Sequence, residues 1–243
     1  MREHSDCPPD PRVVGLDALP ELPTLIERGQ PVAIVASGTE RGASALLEAG
    51  LVTVSERERA DRFRLEQNRR EHLLGRSILR RVLGDVLKLP PGAVPIETNA
   101  QGKPYIDGQA CQFNLTHSNG WVAAAFCRGR RIGVDIEATG RIDASEAANL
   151  SRLTLSQAEQ RLLLSAPADA RVDLFLRLWR MKEAVLKAEG CGLIDDLPSL
   201  DLAHLMRRPQ GEVRFGGASW SVGEASPENL PPLAIAIETF QDT

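Results

Sequence analysis

Between positions 55 and 89, apolar residues recur at three- and four-residue spacing. Leu73, Leu74, Ile78, Leu79, Val82, Leu83, Val86 and Leu87 fall on one stripe. That period predicts a long helix, or two in series, with the stripe in the core. Pro90-Pro91-Gly92 ends it. Shorter apolar runs predict strands at 31–36 and near 94–98, with a turn at Asn99–Gly102. Phe113–His117 and Trp121–Cys127 read as a hairpin with Ser118-Asn119-Gly120 as its turn. Ile132–Glu137 alternates strictly and predicts a further strand. Helices are expected at 145–149, at 156–164 and at 172–189. The second of these opens with Ser156 and Glu159 in capping-box spacing, and the third is closed by Gly190 and Gly192. Strands at 212–215, 219–222 and 233–239 complete the pattern.

This order of elements repeats loosely on either side of Arg128–Arg131. The pattern therefore predicts an α+β protein of two parts, 13–130 and 131–243, behind a flexible tail at 1–12. The tail lacks the basic start and apolar run of a secretory signal. No apolar run reaches the roughly 20 residues needed to span a bilayer. Four cysteines without CxxC spacing, beside only four histidines, argue against a disulfide framework or zinc site and for a reducing cytoplasm.

Charge narrows the picture. The formal net charge is −4, which gives no reason to expect nucleic acid. From Ser55 to Arg81, however, nine arginines stand against five acidic residues. A local basic segment in an acidic protein points to one anionic ligand rather than a polyanion.

Three constellations carry possible chemistry. In Asp135-Ile136-Glu137 the carboxylates share one strand face, about 7 Å apart, while Val134 and Ile136 share the other. Such a pair can hold one hard cation such as Mg²⁺; the same spacing also describes an acidic face turned to solvent. In the helix at 172–189, Trp179, Glu183 and Lys187 stack at successive turns, with Lys182 beside them and Leu178, Met181 and Val185 opposite. This is either a paired acid and ammonium at a site or an ordinary surface pair. His117, at the end of a strand, can donate to a phosphate or move a proton, or it can simply pack there. There is no G-x-S-x-G elbow and no Walker-type loop.

Taken in order, Gly102-Lys103-Pro104, Phe113–Ser118, Ile132–Glu137 and Leu178–Lys187, closed by Gly190–Leu193, resemble the Sfp-type 4′-phosphopantetheinyl transferase superfamily. The resemblance covers roughly residues 55–240. It implies two similar α/β halves related by a pseudo-twofold, with coenzyme A in the cleft between them. It also implies Mg²⁺, with Mn²⁺ as an alternative, and a carrier-protein partner, and it suggests a monomer without membrane association. By position, Asp135 and Glu137 look like the magnesium carboxylates. Glu183 looks like the acidic residue of the W-x-x-K-E-x-x-x-K helix, as metal ligand or base, and Lys187 like its second lysine. Glu159 resembles a further acidic residue, again metal ligand or base. Lys103, Thr116, His117 and Lys182 resemble groups at coenzyme A. Arg59 resembles a residue that holds the nucleotide end, a place that Arg57 or Arg62 also fits. Glu71 stands in a helix where some relatives place an arginine.

The reaction implied is attack of a carrier serine on the coenzyme A pyrophosphate, expelling 3′,5′-ADP. Two rivals use the same residues: a Mg²⁺-dependent phosphohydrolase acting on a nucleotide, and a non-catalytic relative that binds coenzyme A or a carrier.

Overall fold

The computed structural model describes residues 8–108, 111–137, 142–192, 196–208 and 210–240. Of the tail predicted at 1–12, residues 1–7 lie outside the described residues, as does Leu193 of the closing glycine motif, while Arg12 already pairs with Val32 in a strand rather than belonging to a tail. The fold is α+β, and the chain divides into two compact units, Pro9–Arg130 and the residues from Arg131 onward.

The first unit runs β1 (Arg12–Val14), α1 (Leu22–Glu27), β2 (Val32–Ser37), α2 (Arg41–Glu48), α3 (Val54–Ala60) and α4 (Glu66–Leu87). It continues with β3 (Glu97–Thr98), β4 (Pro104–Tyr105), β5 (Gln112–Ser118) and β6 (Trp121–Cys127). Its sheet has the order β1-β2-β6-β5, with β1 parallel to β2 and the other pairs antiparallel; β3 and β4 form a separate ribbon. The apolar stripe of α4 does face the core: Leu74, Ile78, Leu79, Val82 and Leu83 are all fully buried. The predicted long helix is two. Thr53 and Glu56 cap α3 reciprocally, and the chain breaks at 61–65 before α4 begins. Lys88, in the left-handed region at φ 57°, ends α4 ahead of the prolines.

The second unit runs β7 (Ile132–Ile136), α5 (Ala144–Thr154), α6 (Gln157–Ser165), α7 (Arg171–Glu189), β8 (Gln210–Phe215), β9 (Ala218–Ala225) and β10 (Leu233–Thr239). Its antiparallel sheet has the order β7-β10-β9-β8. On α7, Leu178, Met181 and Val185 are fully buried and join Trp220, Val222, Ala234 and Ala236 in the core. Gly190, at φ 83°, terminates α7 in the left-handed conformation that glycine adopts without penalty.

The close seat of α7 on β7 depends on Gly133. A Cβ there would lie 2.0 Å from the Ala184 carbonyl oxygen and 2.4 Å from the Ala188 nitrogen. Backbone meets backbone at this point, which fixes what lies one strand repeat further along. No described helix is long and apolar enough to cross a membrane.

Candidate functional site

Asp135 follows Gly133 by two residues, so its side chain shares the face covered by α7. It is 2% exposed, which rules out the reading of an acidic solvent face. Lys187 reaches down from α7 and places Nζ 2.5 Å from Asp135 Oδ1. Glu183 stands one turn before Lys187 on the same stripe of α7. Its Oε1 is buried and has no hydrogen-bond partner among the described residues. Burial pushes the Glu183 carboxyl above the usual carboxylate range; Lys187 opposes this, and the charges of Asp135 and Glu137 add to it. Glu137 is half-buried, one residue past the end of β7. Asp135, Glu137, Glu183 and Lys187 are thus brought together.

Among the described residues, no three His, Cys, Asp or Glu side chains are gathered tightly enough to mark a metal site by themselves. The chemistry of the donor set nevertheless suits a hard cation. It offers carboxylate oxygens only, one of them buried without a partner, and Mg²⁺ takes just one or two protein carboxylates.

Glu159 and Lys182 are placed elsewhere. Both side chains are 0% exposed, with Lys182 Nζ 2.8 Å from Glu159 Oε2. Lys182 also donates to the carbonyls of Leu197 and Leu200. Glu159 accepts from the backbone N–H of Ser156, in the capping box, and from that of Leu202. Burial pulls the Lys182 ammonium down, and the charge of Glu159 pulls it back. The pair ties α6 and the 197–202 segment to α7. Lys182 therefore does not share the stripe of Glu183 and Lys187, as the i+3 spacing from Trp179 suggested. Trp179 is half-buried and stacks on Phe175 at 6.1 Å.

In the first unit, β5 and β6 turn through Asn119 and Gly120, both with positive φ, so Ser118 belongs to β5 rather than to the turn. His117 is exposed at the end of β5, and Thr116, on the opposite face, is buried. Nδ1 of His117 lies 3.0 Å from Oε2 of the buried Glu71. Gly75 explains the meeting. It lets α4 approach β5 closely enough that an added Cβ would stand 2.8 Å from Leu115 Cδ2. Glu71 is one turn before Gly75, and His117 is two residues past Leu115, on the same strand face. Sequence reasoning notes Glu71 only as standing where some relatives place an arginine; it misses the pairing with His117, because nothing local to either residue signals the other.

Lys103 is half-buried and follows a turn in which Asn99 Oδ1 accepts its N–H at 2.8 Å. Arg59 is exposed on α3. Five of the nine arginines of 55–81 are held by structure. Arg76 and Arg80 bind the buried Glu56, Arg69 binds Asp61 and Glu66, and Arg81 binds Asp85. Arg70 donates to the Gly38 carbonyl and to Ser44. Arg57, Arg59, Arg62 and Arg64 make no ion pair among the described residues. His72 lies between these groups, its ring 5.4 Å from that of Phe63. Burial first, then the charges of Arg76 and Arg59, push it down to about 4.

Comparison with known proteins places these features in a family. Residues 131–231 match the 4′-phosphopantetheinyl transferase superfamily, and residues 43–128 match the 4′-phosphopantetheinyl transferase N-terminal family. The chain is 31% identical over 197 residues to the 4′-phosphopantetheinyl transferase HetI of Nostoc sp., covering 79% of this chain and 81% of that protein. It is 35% identical over 165 residues to the 4′-phosphopantetheinyl transferase psf-1 of Bacillus pumilus, covering 68% of each. Against the 4′-phosphopantetheinyl transferase Sfp of Bacillus subtilis the identity is 33% over 152 residues, covering 62% of this chain and 66% of the relative. The chain belongs to the 4′-phosphopantetheinyl transferase superfamily, and its acidic cluster under α7 and its His117 face lie within the matched regions.

Proposed function

We propose that the protein transfers the phosphopantetheine arm of coenzyme A to a serine hydroxyl of an acyl or peptidyl carrier protein, releasing 3′,5′-ADP in a Mg²⁺-dependent reaction. The observation that carries this reading is the cluster under α7, in which Lys187 binds Asp135, the charges of Asp135, Glu137 and Lys187 act on Glu183, and Glu183 Oε1 has no hydrogen-bond partner among the described residues. Asp135 and Glu137 would hold Mg²⁺, which when bound neutralises charge on the pyrophosphate oxygens.

The protein's own groups do the rest. Phosphoryl transfer needs positioning and charge neutralisation more than covalent help. Glu183 receives the proton of the attacking serine hydroxyl: its buried Oε1 has no hydrogen-bond partner among the described residues and can accept one. Lys187, which here binds Asp135, would offer its ammonium to the pyrophosphate. Lys103, His117 and Arg59 bind the phosphates of coenzyme A, with Thr116 beneath His117 in the same strand. Lys182 and Glu159, bound to each other in the core, serve the fold rather than the ligand.

The test is mass spectrometry of an apo carrier protein incubated with coenzyme A, Mg²⁺ and this protein. The carrier should gain the mass of one phosphopantetheine. Release of nucleotide from coenzyme A with the carrier unmodified would point instead to the phosphohydrolase.

A further inference from the structure

We infer that Glu71 is a positioning residue for His117: its carboxylate holds the Nδ1–H and turns Nε2 outward as the contact for a phosphate of the nucleotide substrate. This deepens the proposed function and rests on it for the identity of the ligand.

The geometry is specific. Glu71 is 4% exposed, while His117 is 53% exposed. The two carboxylate oxygens have separate tasks. Oε1 accepts the Gly120 backbone N–H and the Gln67 side-chain amide at 3.0 Å, while Oε2 faces His117 Nδ1. The carboxylate is therefore fixed from two sides before it meets the imidazole. A carboxylate accepts and does not donate, so Nδ1 must carry a hydrogen and Nε2 is the nitrogen left for a ligand. When Nε2 also carries a proton, both N–H groups are charge-assisted donors, one to Glu71 and one to the phosphate. The same carboxylate anchors the hairpin turn through Gly120, so the strand end and the ring it bears are located by one side chain. Glu71 is buried and His117 stands over it, so Glu71 contributes through the imidazole and not by touching the ligand.

The experiment compares wild type, Glu71→Gln, His117→Ala and the double variant. In Glu71→Gln the amide oxygen can still serve Gly120 and Gln67, so the turn keeps its acceptor. Its NH₂ then faces Nδ1 and forces the ring proton onto Nε2. Nitrogen-15 NMR of the histidines should show His117 protonated at Nδ1 in the free wild type and moved to Nε2 in Glu71→Gln. Calorimetric titration with 3′,5′-ADP, with adenosine as control, should show Glu71→Gln binding about tenfold more weakly, because the Nε2–H facing the phosphate is then carried by a neutral ring instead of a doubly protonated one. In the His117→Ala background the Glu71→Gln change should cost nothing further.

Wild-type His117 protonated at Nε2 alone, or an equal cost of Glu71→Gln in both backgrounds, would overturn the positioning role. Wild-type binding of 3′,5′-ADP no tighter than adenosine would overturn the phosphate as the ligand. Failure of carrier modification with both of these results intact would strike the transfer reaction and leave Glu71 in its role.

Discussion

Lys187 Nζ lies 2.5 Å from Asp135 Oδ1, so the most buried carboxylate of the acidic cluster is neutralised by a cation from the helix that covers it. A metal arriving at Asp135 competes with that ammonium. Breaking a fully buried pair costs roughly 3–5 kcal/mol, and the 29% exposure of the Lys187 side chain lowers this to about 2 kcal/mol. Lys187→Ala should therefore melt lower than wild type in chelator. It should then gain more from added Mg²⁺, since the cation replaces the lost charge and binds only the folded state. Thermal melts with EDTA and with Mg²⁺ check this; an equal Mg²⁺ effect on both proteins would remove the metal from Asp135.

Glu183 gives a pH signature. Its folded carboxyl lies above the usual 4.5, mainly through burial and further through Asp135 and Glu137. A carboxyl shifted this way contributes stability below its unfolded pKa, and that contribution is lost as pH rises through the folded pKa. In chelator, wild type should lose stability relative to Glu183→Gln as pH rises from about 4.5 toward neutrality, because the variant carries no charge there. Parallel melting curves for the two proteins across that range would contradict the assignment. Glu183→Gln should also slow carrier modification far more than it weakens coenzyme A binding.

The buried pair in the same helix behaves differently. Lys182→Met strands Glu159 as an unpaired charge at 0% exposure and should cost about 3–5 kcal/mol. Lys182→Met with Glu159→Leu should recover much of that loss, because two apolar side chains of similar size can replace a buried ion pair. Urea unfolding of the single and double variants measures both effects. A double variant as unstable as the single would mean that the hydrogen bonds to Leu197, Leu200 and Leu202 matter more than the charges.

These two pairs show what a sequence conveys and where it stops. The stripes of α4 and α7, the β5–β6 hairpin and the capping box at Ser156 follow from local periodicity and local chemistry, and each was legible. Helix position sets Lys182 beside Glu183 and Lys187, and only the resemblance puts it at coenzyme A, but neighbouring residues on a helix diverge by about 100°. A residue three positions on from Trp179 lies at the edge of the stripe, and the docked 197–202 segment decides where it turns. Glu159 already had a structural task in its capping box, which weakened any second use of the same carboxylate. Glu71 and His117 meet only because α4 docks on β5 at Gly75, a tertiary fact with no local signature. The arginine excess of 55–81 was visible as a count, yet which arginines remain for a ligand depended on finding Glu56 and Asp61 beside the others.

Gly133 offers the strongest test of how the acidic cluster is built. An alanine there would put Cβ 2.0 Å from the Ala184 carbonyl oxygen and 2.4 Å from the Ala188 nitrogen. Both are backbone atoms of α7, so no side chain can rotate away; the helix itself must lift. Gly75→Ala makes the control, since its Cβ meets the end of the Leu115 side chain at 2.8 Å, which can change rotamer. Overpacking of a rigid contact costs typically 1–3 kcal/mol and sometimes more. Gly133→Ala should stand at or above about 3 kcal/mol, and Gly75→Ala at about 1 kcal/mol. Lifting α7 also moves Glu183 and Lys187 away from Asp135, which β7 holds in place. Carrier modification by Gly133→Ala, assayed at a temperature where it remains folded, should therefore fall by at least tenfold, since a misplacement of about 1 Å can cost a hundredfold. Folded Gly133→Ala with wild-type turnover would show that the spacing between α7 and β7 does not set the geometry of the site.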